Sequence, residues 1–523
     1  MSTNTEDNTL SDILGSLRRR GIRLWLQNGE LRYAAPKGVI TPFELETLRA
    51  YKGQIARFLE RVNELQLGEP QTESRPRRDR APLTFSQVAY WNEQHLHERH
   101  VRREVASSTR LQGPLNVDVL RRCIAEMVQR HEALRSRIVH QDGILVQEID
   151  EIGNSELVII DLTHLQQSEQ QFEVPRLISE HIEEKINVGT DPAFASSLLR
   201  LSQHEHVLTV STVHTVADAV SRNILIRDIF SAYQQMLQDN TIALPLIPMQ
   251  FADFAFWQQK MGERLAQKCK SWSQHLSGCD RLRLPRDKQS GITNPSQGLG
   301  IIRLSIGSDS LSRLRECCRV MRTTPTMAMF TAFACFVLCW CDVAEGVFQY
   351  ITDGRFGKNI QNTVGYFAFP LYLRVVLSVH DTFVDLLRKV TDEYCDAYEH
   401  LDYGCLKISS PQPAFVNNPS FNWGSQGPST SLFDLELSEG ALTGTFIPYR
   451  KDEIENFDVD EEPKIVFLER PEEILGAVTY PLNGISSKLM QRFCDEFLAF
   501  THTMLQDTHQ RIRPIAMRRS SSH

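Results

Sequence analysis

The sequence lacks the features that would assign it to nucleic acid, to a membrane or to a disulfide-stapled secreted fold. Positive charge is not in excess: 57 Lys and Arg face 65 Asp and Glu among 523 residues, a net charge of -8. A polyanion is bound through a basic face that releases its counterions, so no nucleic-acid partner is expected. Long apolar runs are also missing. The longest, Met327 to Cys341, falls short of the roughly 20 residues a bilayer span needs. The opening MSTNTEDNTL is polar and acidic, without the basic and apolar regions of a secretory signal. A cytoplasmic protein with no membrane partner is expected. The 11 cysteines are odd in number and mostly isolated in apolar surroundings, which argues against a disulfide framework. Cys335, Cys339 and Cys341 lie close together, but 335 and 339 share a helical face that 341 leaves. Core packing, and no metal, is the expectation there.

What is present is an ordinary globular balance, 41% hydrophobic and 23% charged, over a length that suits roughly two to four domains. Thr324 and Pro325 read as the N-cap and first position of a buried helix over the apolar run. Residues 1–64 form a small unit. Residues 65–80 are polar, charged and proline-containing, and read as a linker. From 81 onward the chain is continuously globular.

In the small unit, Ser11 caps a helix carrying Ile13, Leu14 and Leu17, which Gly21 ends. Leu24, Leu26, Leu31 and Tyr33 then flank Asn28-Gly29, a hairpin signal because both turn positions need positive φ. Thr41-Pro42-Phe43-Glu44 opens a second helix as a capping box. Arg18, Arg19, Arg20, Arg23, Arg32 and Lys37 crowd the hairpin, together with Trp25. Physics alone leaves two readings level: an edge on which an acidic peptide docks as an added strand, and a solvated helical add-on. The stretch RRRGIRLWLQNGELRYAAPKGVITPFELETLRAYKGQI resembles the TubC-type, or β-hairpin, docking domain. That resemblance implies binding of an acidic linear motif at the C-terminus of an upstream carrier protein.

In the large part, VLTVSTV at 207–213 is a β-branched run and so a strand. Leu208, Val210, Thr212 and His214 share one face by period 2, and Val207, Thr209, Ser211 and Val213 the other. The helical spacing of Ile224, Leu225, Ile229, Tyr233 and Met236 follows. His214 at a strand end and Asp218 at a helix start could serve as a general base and its neighbour. Taken alone, a half-buried histidine and an N-cap aspartate explain the pair better. His131 sits in LRRCIAEMVQRHEALRSRI, whose spacing predicts one helix, with packing and hydrogen bonding as its role.

The stretch VHTVADAVS resembles the HHxxxDGxS motif of condensation domains of nonribosomal peptide synthetases. Other blocks of that family follow in order: Leu83 to Gln87 with Trp91; Arg130 to Arg135; Phe251 to Trp257; Gly354-Arg355; Val364 to Phe367 with Arg374; His400 to Tyr403; and Phe421 to Trp423. The resemblance implies an α/β fold of two chloramphenicol-acetyltransferase-like lobes in a V, expected over 81–265 and 266–523, beside the small α+β docking domain. By the same resemblance His214 acts on the acceptor nucleophile. Asp218 is structural and pairs with Arg355. Ser221 and Trp423 lie near the site. The chain departs from the motif at Val213, in place of the first histidine, and at Ala219, in place of glycine.

The family joins a thioester on the phosphopantetheine arm of an acyl or peptidyl carrier protein to an amine or hydroxyl. No bound cofactor is implied. Adenylation motifs, an LGGxS carrier segment and the DxxxxD of cyclisation domains are not seen. With one docking domain, a soluble small-molecule acceptor and release of the chain, preferably as an ester, are expected. The layout resembles the stand-alone releasing condensation enzymes of enacyloxin-type polyketide assembly lines. Two other readings are a BAHD-like acyl-CoA transferase, whose DFGWG segment is not found here, and an inactive docking or scaffold module.

Overall fold

The computed structural model describes residues 23–27, 30–34, 52, 79–96, 101–103, 105–287, 299–321, 323–355, 358–400, 404–405, 414–425, 431–437, 440–447, 453–454, 462–470 and 472–512. Arg18, Arg19, Arg20 and Lys37, both helices expected in the small unit, most of the linker, and Leu401 to Tyr403 lie outside them. Arg23, Trp25 and Arg32 fall in two antiparallel strands, Arg23–Gln27 and Glu30–Ala34, with Leu26 opposite Leu31 and Gln27 opposite Glu30. That register leaves two residues for the connection, the length an Asn-Gly turn closes.

The large part is built on two mixed sheets. The first has six strands in the order 431–437, 440–447, 105–112, 205–212, 194–200 and 157–161. Its Glu205–Thr212 strand is buried along almost its whole length. Val207 packs under the helix Gln167–Glu183, beside Val174, Ile178 and Ile182. Leu208 and Val210 join the main core with Ile124, Leu225 and Ile229, from the helices Val117–Arg130 and Ala219–Asp239. The period-2 division of this strand is thus visible in which cluster each side chain enters.

The second sheet has seven strands in the order 369–376, 345–352, 420–425, 464–469, 474–481, 299–306 and 453–454. Against it lies the helix Pro325–Trp340, buried from Thr326 to Leu338. Thr324 caps it, accepting from the Met327 N–H at 3.2 Å. Phe330 and Phe333 meet Phe421, and Phe336 meets Phe497 of the helix Ser487–Gln506. Among the described residues no single helix is long and apolar enough to cross a membrane. Burial pushes the Cys335 thiol well up, helped by a hydrogen bond with Cys339. No group of His, Cys, Asp and Glu among the described residues could hold a metal ion.

Two expectations need correction. The hairpin of 431–437 and 440–447 falls inside the part expected to be the second lobe, yet it extends the first sheet. Thr443 pairs with Gln112 and Phe446 with Thr109. Without it the Val105–Gln112 strand would be a bare edge, which sheets avoid. The second correction concerns residues 120–138. The helix stops at Arg130, His131 turns extended at φ -104 and ψ 100, a 3-10 turn covers Glu132–Arg135, and a strand begins at Ser136. Helical spacing carried past the cap because Ala133 and Leu134 are also buried, but on a different element.

Candidate active site

His214 stands two residues past the end of the Glu205–Thr212 strand, in a turn held by Val213 N–H to Ala193 O at 3.0 Å and Val216 N–H to Val213 O at 3.2 Å. Its Nδ1 lies 2.9 Å from the Ala217 carbonyl oxygen. A carbonyl only accepts, so Nδ1 carries the hydrogen and the neutral ring keeps its basic lone pair on Nε2. The half-buried ring lies 4.4 Å from that of Tyr366 and 5.7 Å from that of Tyr90. Tyr90 meets Tyr366 edge-on at 6.2 Å. Two phenols therefore restrain the imidazole from the side while its turn fixes the tautomer.

Asp218 cannot be the base. It is the N-cap of the helix Ala219–Asp239, accepting from Ser221 N–H and Oγ–H at 2.9 Å each. The Arg355 guanidinium grips the same carboxylate at 2.7 and 3.0 Å. Phe367 N–H and Ala368 N–H donate to it at 3.1 and 3.3 Å. Burial pushes this carboxyl up, but Arg355 and the Ser221 hydrogen bonds outweigh it, and the pKa ends below the ordinary aspartate value. The two readings of Asp218 from sequence, helix cap and arginine partner, are both present in one side chain.

Arg355 makes further contacts through its terminal nitrogens and the face of its guanidinium. Nη2 also donates to Ser221 Oγ at 2.9 Å and the Thr363 carbonyl at 3.1 Å, and the guanidinium lies 4.6 Å over the Phe367 ring. Gly354 precedes it at φ +65, where a Cβ would stand 1.9 Å from the Phe367 carbonyl oxygen. Only glycine fits that approach.

The opening sequence block locks these loops together. The fully buried Gln87 donates to the Thr215 carbonyl at 2.9 Å, one residue beyond the histidine. Ser86 Oγ–H donates to the Ala368 carbonyl at 3.2 Å, and Phe85 N–H to the Gln258 side chain at 2.7 Å. The first block thus touches the histidine turn, the Phe367 loop and the helix Phe251–Lys260.

Of the remaining expected residues, Val213 is buried in the core and Ala219 is exposed at the first position of its helix. Ser221 bridges Asp218, Arg355 and the Gly365 carbonyl. Trp423 packs in the core of the second sheet, on Phe421 and Phe467. Tyr90, Tyr366 and the bond from Gln87 were not foreseen. Tyr90 and Gln87 do lie one helical turn apart, a signal for a shared face.

His131 also differs from its expected role. It is fully buried with neither ring nitrogen hydrogen-bonded among the described residues, and its Nε2 is 3.8 Å from Asp228 Oδ2. Burial, then Arg130 and Arg227, push its pKa down to about 3, so it is neutral packing.

A family model for the condensation domain matches residues 77–522, and one for the TubC N-terminal docking domain matches residues 11–61. A linear gramicidin synthase protein of Brevibacillus parabrevis is 28% identical over 369 residues, 70% of this chain and 5% of that protein. Enniatin synthase of Fusarium equiseti is 26% identical over 310 residues, 58% of this chain and 10% of that protein. The chain therefore spans a tenth or less of these curated relatives. The X-domain from teicoplanin biosynthesis superposes with a TM-score of 0.70 at 22% identity, covering 85% of this chain and 98% of that one. The condensation domain that mediates chain release from the enacyloxin polyketide synthase superposes with a TM-score of 0.66 at 18% identity, covering 96% and 97%. These likenesses fix the fold, two chloramphenicol-acetyltransferase-like α/β halves, and the family models fix the membership: the chain belongs to the condensation-domain family and carries a TubC-type docking domain at its N-terminus.

Proposed function

We propose that the protein transfers an acyl or peptidyl chain from a carrier-protein thioester to the hydroxyl or amine of a soluble acceptor, preferably forming an ester and releasing the chain. The observation that carries this is the tautomer of His214. With Nδ1–H held by the Ala217 carbonyl, Nε2 is the basic atom, and Asp218 is consumed by Arg355. The acceptor O–H or N–H gives its proton to Nε2 as its oxygen or nitrogen bonds to the thioester carbon. The C–S bond then breaks, and the imidazolium returns the proton to the departing thiolate. The balance is thioester plus alcohol or amine to ester or amide plus thiol. A thioester is already activated, so the residues present suffice for proton transfer and positioning, worth about 10²–10⁴-fold in rate.

The docking domain supports a protein-borne donor. Its family membership and the basic residues of the hairpin, Arg23 and Arg32 with Arg18 to Arg20 and Lys37, suit an acidic C-terminal motif on that carrier. The domain limits 1–64, 65–80, 81–265 and 266–523 belong to the same reading, with the 431–447 hairpin crossing to the first sheet. The enacyloxin neighbour, described as mediating chain release, supports release over extension.

The test follows an acyl chain on a partner carrier protein by intact-protein mass spectrometry, with a pool of hydroxy and amino compounds. Wild type is run beside His214→Ala. Discharge by the wild type only, with a matching ester or amide in solution, is the expected result. Equal discharge by both proteins removes His214 from the chemistry. No discharge by either, with carrier binding intact, favours the scaffold reading, and discharge of acyl-CoA alone favours the acyl-CoA transferase.

A further inference from the structure

Gln87 is fully buried, and its amide acts in two directions. Oε1 accepts from Thr84 N–H at 2.9 Å, while Gln87 N–H donates to Thr84 Oγ1 at 3.2 Å. These two bonds are a reciprocal cap on the helix Phe85–Leu96. Capping uses only the oxygen of the side-chain amide. The nitrogen, Nε2, donates to the Thr215 carbonyl at 2.9 Å, 128 positions along the chain. Thr84 N–H only donates and the Thr215 carbonyl only accepts, so the two partners fix which way the amide points. An ionised glutamate would cap the helix equally well but has no hydrogen to give Thr215.

What Nε2 holds bears on the histidine. Val213 to Val216 form a turn closed by Val216 N–H to Val213 O at 3.2 Å, with His214 and Thr215 at its centre. The Thr215 carbonyl and the Val216 N–H belong to one planar peptide group. Val213 holds one side of that plane and Gln87 the other. The plane leads into Ala217, whose carbonyl oxygen lies 2.9 Å from His214 Nδ1 and keeps the hydrogen there. Rotation of the 215–216 peptide would swing that carbonyl off the ring, and the imidazole would lose the bond that selects its tautomer. The helix bearing Gln87 is anchored against such movement. Phe85 N–H donates to the Gln258 side chain at 2.7 Å, and Ser86 Oγ–H to the Ala368 carbonyl at 3.2 Å. One turn beyond Gln87, Tyr90 sets its ring 5.7 Å from that of His214. The helix thus meets the histidine turn at two points, a backbone carbonyl and the imidazole itself.

We propose that Gln87 is a positioning residue of the transfer reaction: its side-chain N–H holds the 215–216 peptide so that His214 keeps its hydrogen on Nδ1 and presents Nε2 to the acceptor. The proposal deepens the reading of His214 as the transfer centre and rests on it.

Gln87→Met and Thr84→Ala separate positioning from capping. Each removes one cap bond, and only Gln87→Met also removes the bond to Thr215. The first measurement needs no turnover. Nitrogen-15 spectra of the histidine-labelled full chain, at a pH where the ring is neutral, report which ring nitrogen carries hydrogen; the His214 signals are those lost in His214→Ala. Wild type and Thr84→Ala should show Nδ1–H and a bare Nε2, and Gln87→Met a mixture of the two tautomers. The second measurement is transfer from the loaded carrier. Gln87→Met should lower kcat by about tenfold to a hundredfold with the acceptor KM unchanged, while Thr84→Ala keeps its kcat even where its melting temperature falls as far. If thermal melting shows that methionine unfolds the protein, Gln87→Asn takes its place with the same two expectations. Its shorter amide still accepts at the cap, as Asp385 does from Thr382 N–H, but does not reach Thr215. Identical His214 nitrogen signals in wild type and the position-87 variant overturn the proposal, as does a kcat lost equally on Thr84→Ala. Transfer that persists in His214→Ala removes the proposed function instead, and the nitrogen spectra still decide whether Gln87 sets the tautomer.

Discussion

Arg355 and Asp218, 137 positions apart, close on one another through two parallel hydrogen bonds of 2.7 and 3.0 Å, both side chains all but sealed from solvent. The contact ties the cap of the Ala219–Asp239 helix to the loop after the Glu345–Thr352 strand, and so ties the first sheet's half to the second's.

Breaking that pair from one side leaves a buried charge exposed to nothing that can solvate it. Arg355→Met is expected to lower stability by about 3–5 kcal/mol, read from urea unfolding. Asp218→Asn in addition should recover part of the loss, since the stranded carboxylate is then gone. A single substitution costing under about 1 kcal/mol would sink this account. Because the folded pKa of Asp218 is lowered, its share of stability is present above the unfolded aspartate range and disappears as pH falls through the folded value.

Two histidines should make the fold acid-sensitive at milder pH. Burial pushes His131 down to about 3, and burial together with Arg103 pushes His181 down to about 4, from 6.5. Both are neutral in the fold and protonate more readily when unfolded. Stability should therefore be flat above pH 6.5 and fall below it, each group adding up to about 1.4 kcal/mol per pH unit until its folded pKa is passed. His131→Phe should flatten the slope of stability against pH between 6.5 and 4; an unchanged slope contradicts the assignment.

Tyr366 restrains the His214 ring at 4.4 Å. Tyr366→Phe keeps the ring contact and should keep most of kcat. Tyr366→Ala removes a contact of about 0.5–1.5 kcal/mol and should cost about two- to tenfold in kcat. Carbon-13 labelling of the histidines would show the His214 signal shift in the alanine variant only; equal signals in both variants would exclude the contact.

Gly354→Ala sets a methyl against the Phe367 carbonyl oxygen at 1.9 Å and asks alanine to hold φ +65. The loop must move, taking Arg355 with it. We expect a loss of stability comparable to breaking the ion pair itself. Arg355→Met added to Gly354→Ala should then cost little more, a non-additivity measurable by the same unfolding series.

The local elements were readable because each had its own signature. Asn28-Gly29 marked the hairpin, Thr324-Pro325 the core helix, and β-branched alternation the Glu205–Thr212 strand. The Asp218–Arg355 pairing was legible only through the resemblance, since nothing in the spacing of two distant residues encodes a contact. His131 misled because helical periodicity does not register a cap. The extended backbone there follows from the 3-10 turn and strand beyond it. The motif marks Trp423 as near the site but does not record its ring partners, Phe421 and Phe467, which come from two strands. Tyr366 and the reach of Gln87 are tertiary facts: three loops converge, and no one of them records the others.

The crossing hairpin has a consequence for how the molecule comes into being. Thr443 to Ile447 pair with Ser108 to Gln112, more than half the chain upstream. During synthesis the Val105–Gln112 strand therefore waits with one edge bare until residues near the far end have left the ribosome. Such long-range closure is slow and leaves a template for mispairing in the interval. A fragment cut between the two sheets would carry that open edge permanently, and would be expected to aggregate rather than behave as a free-standing half.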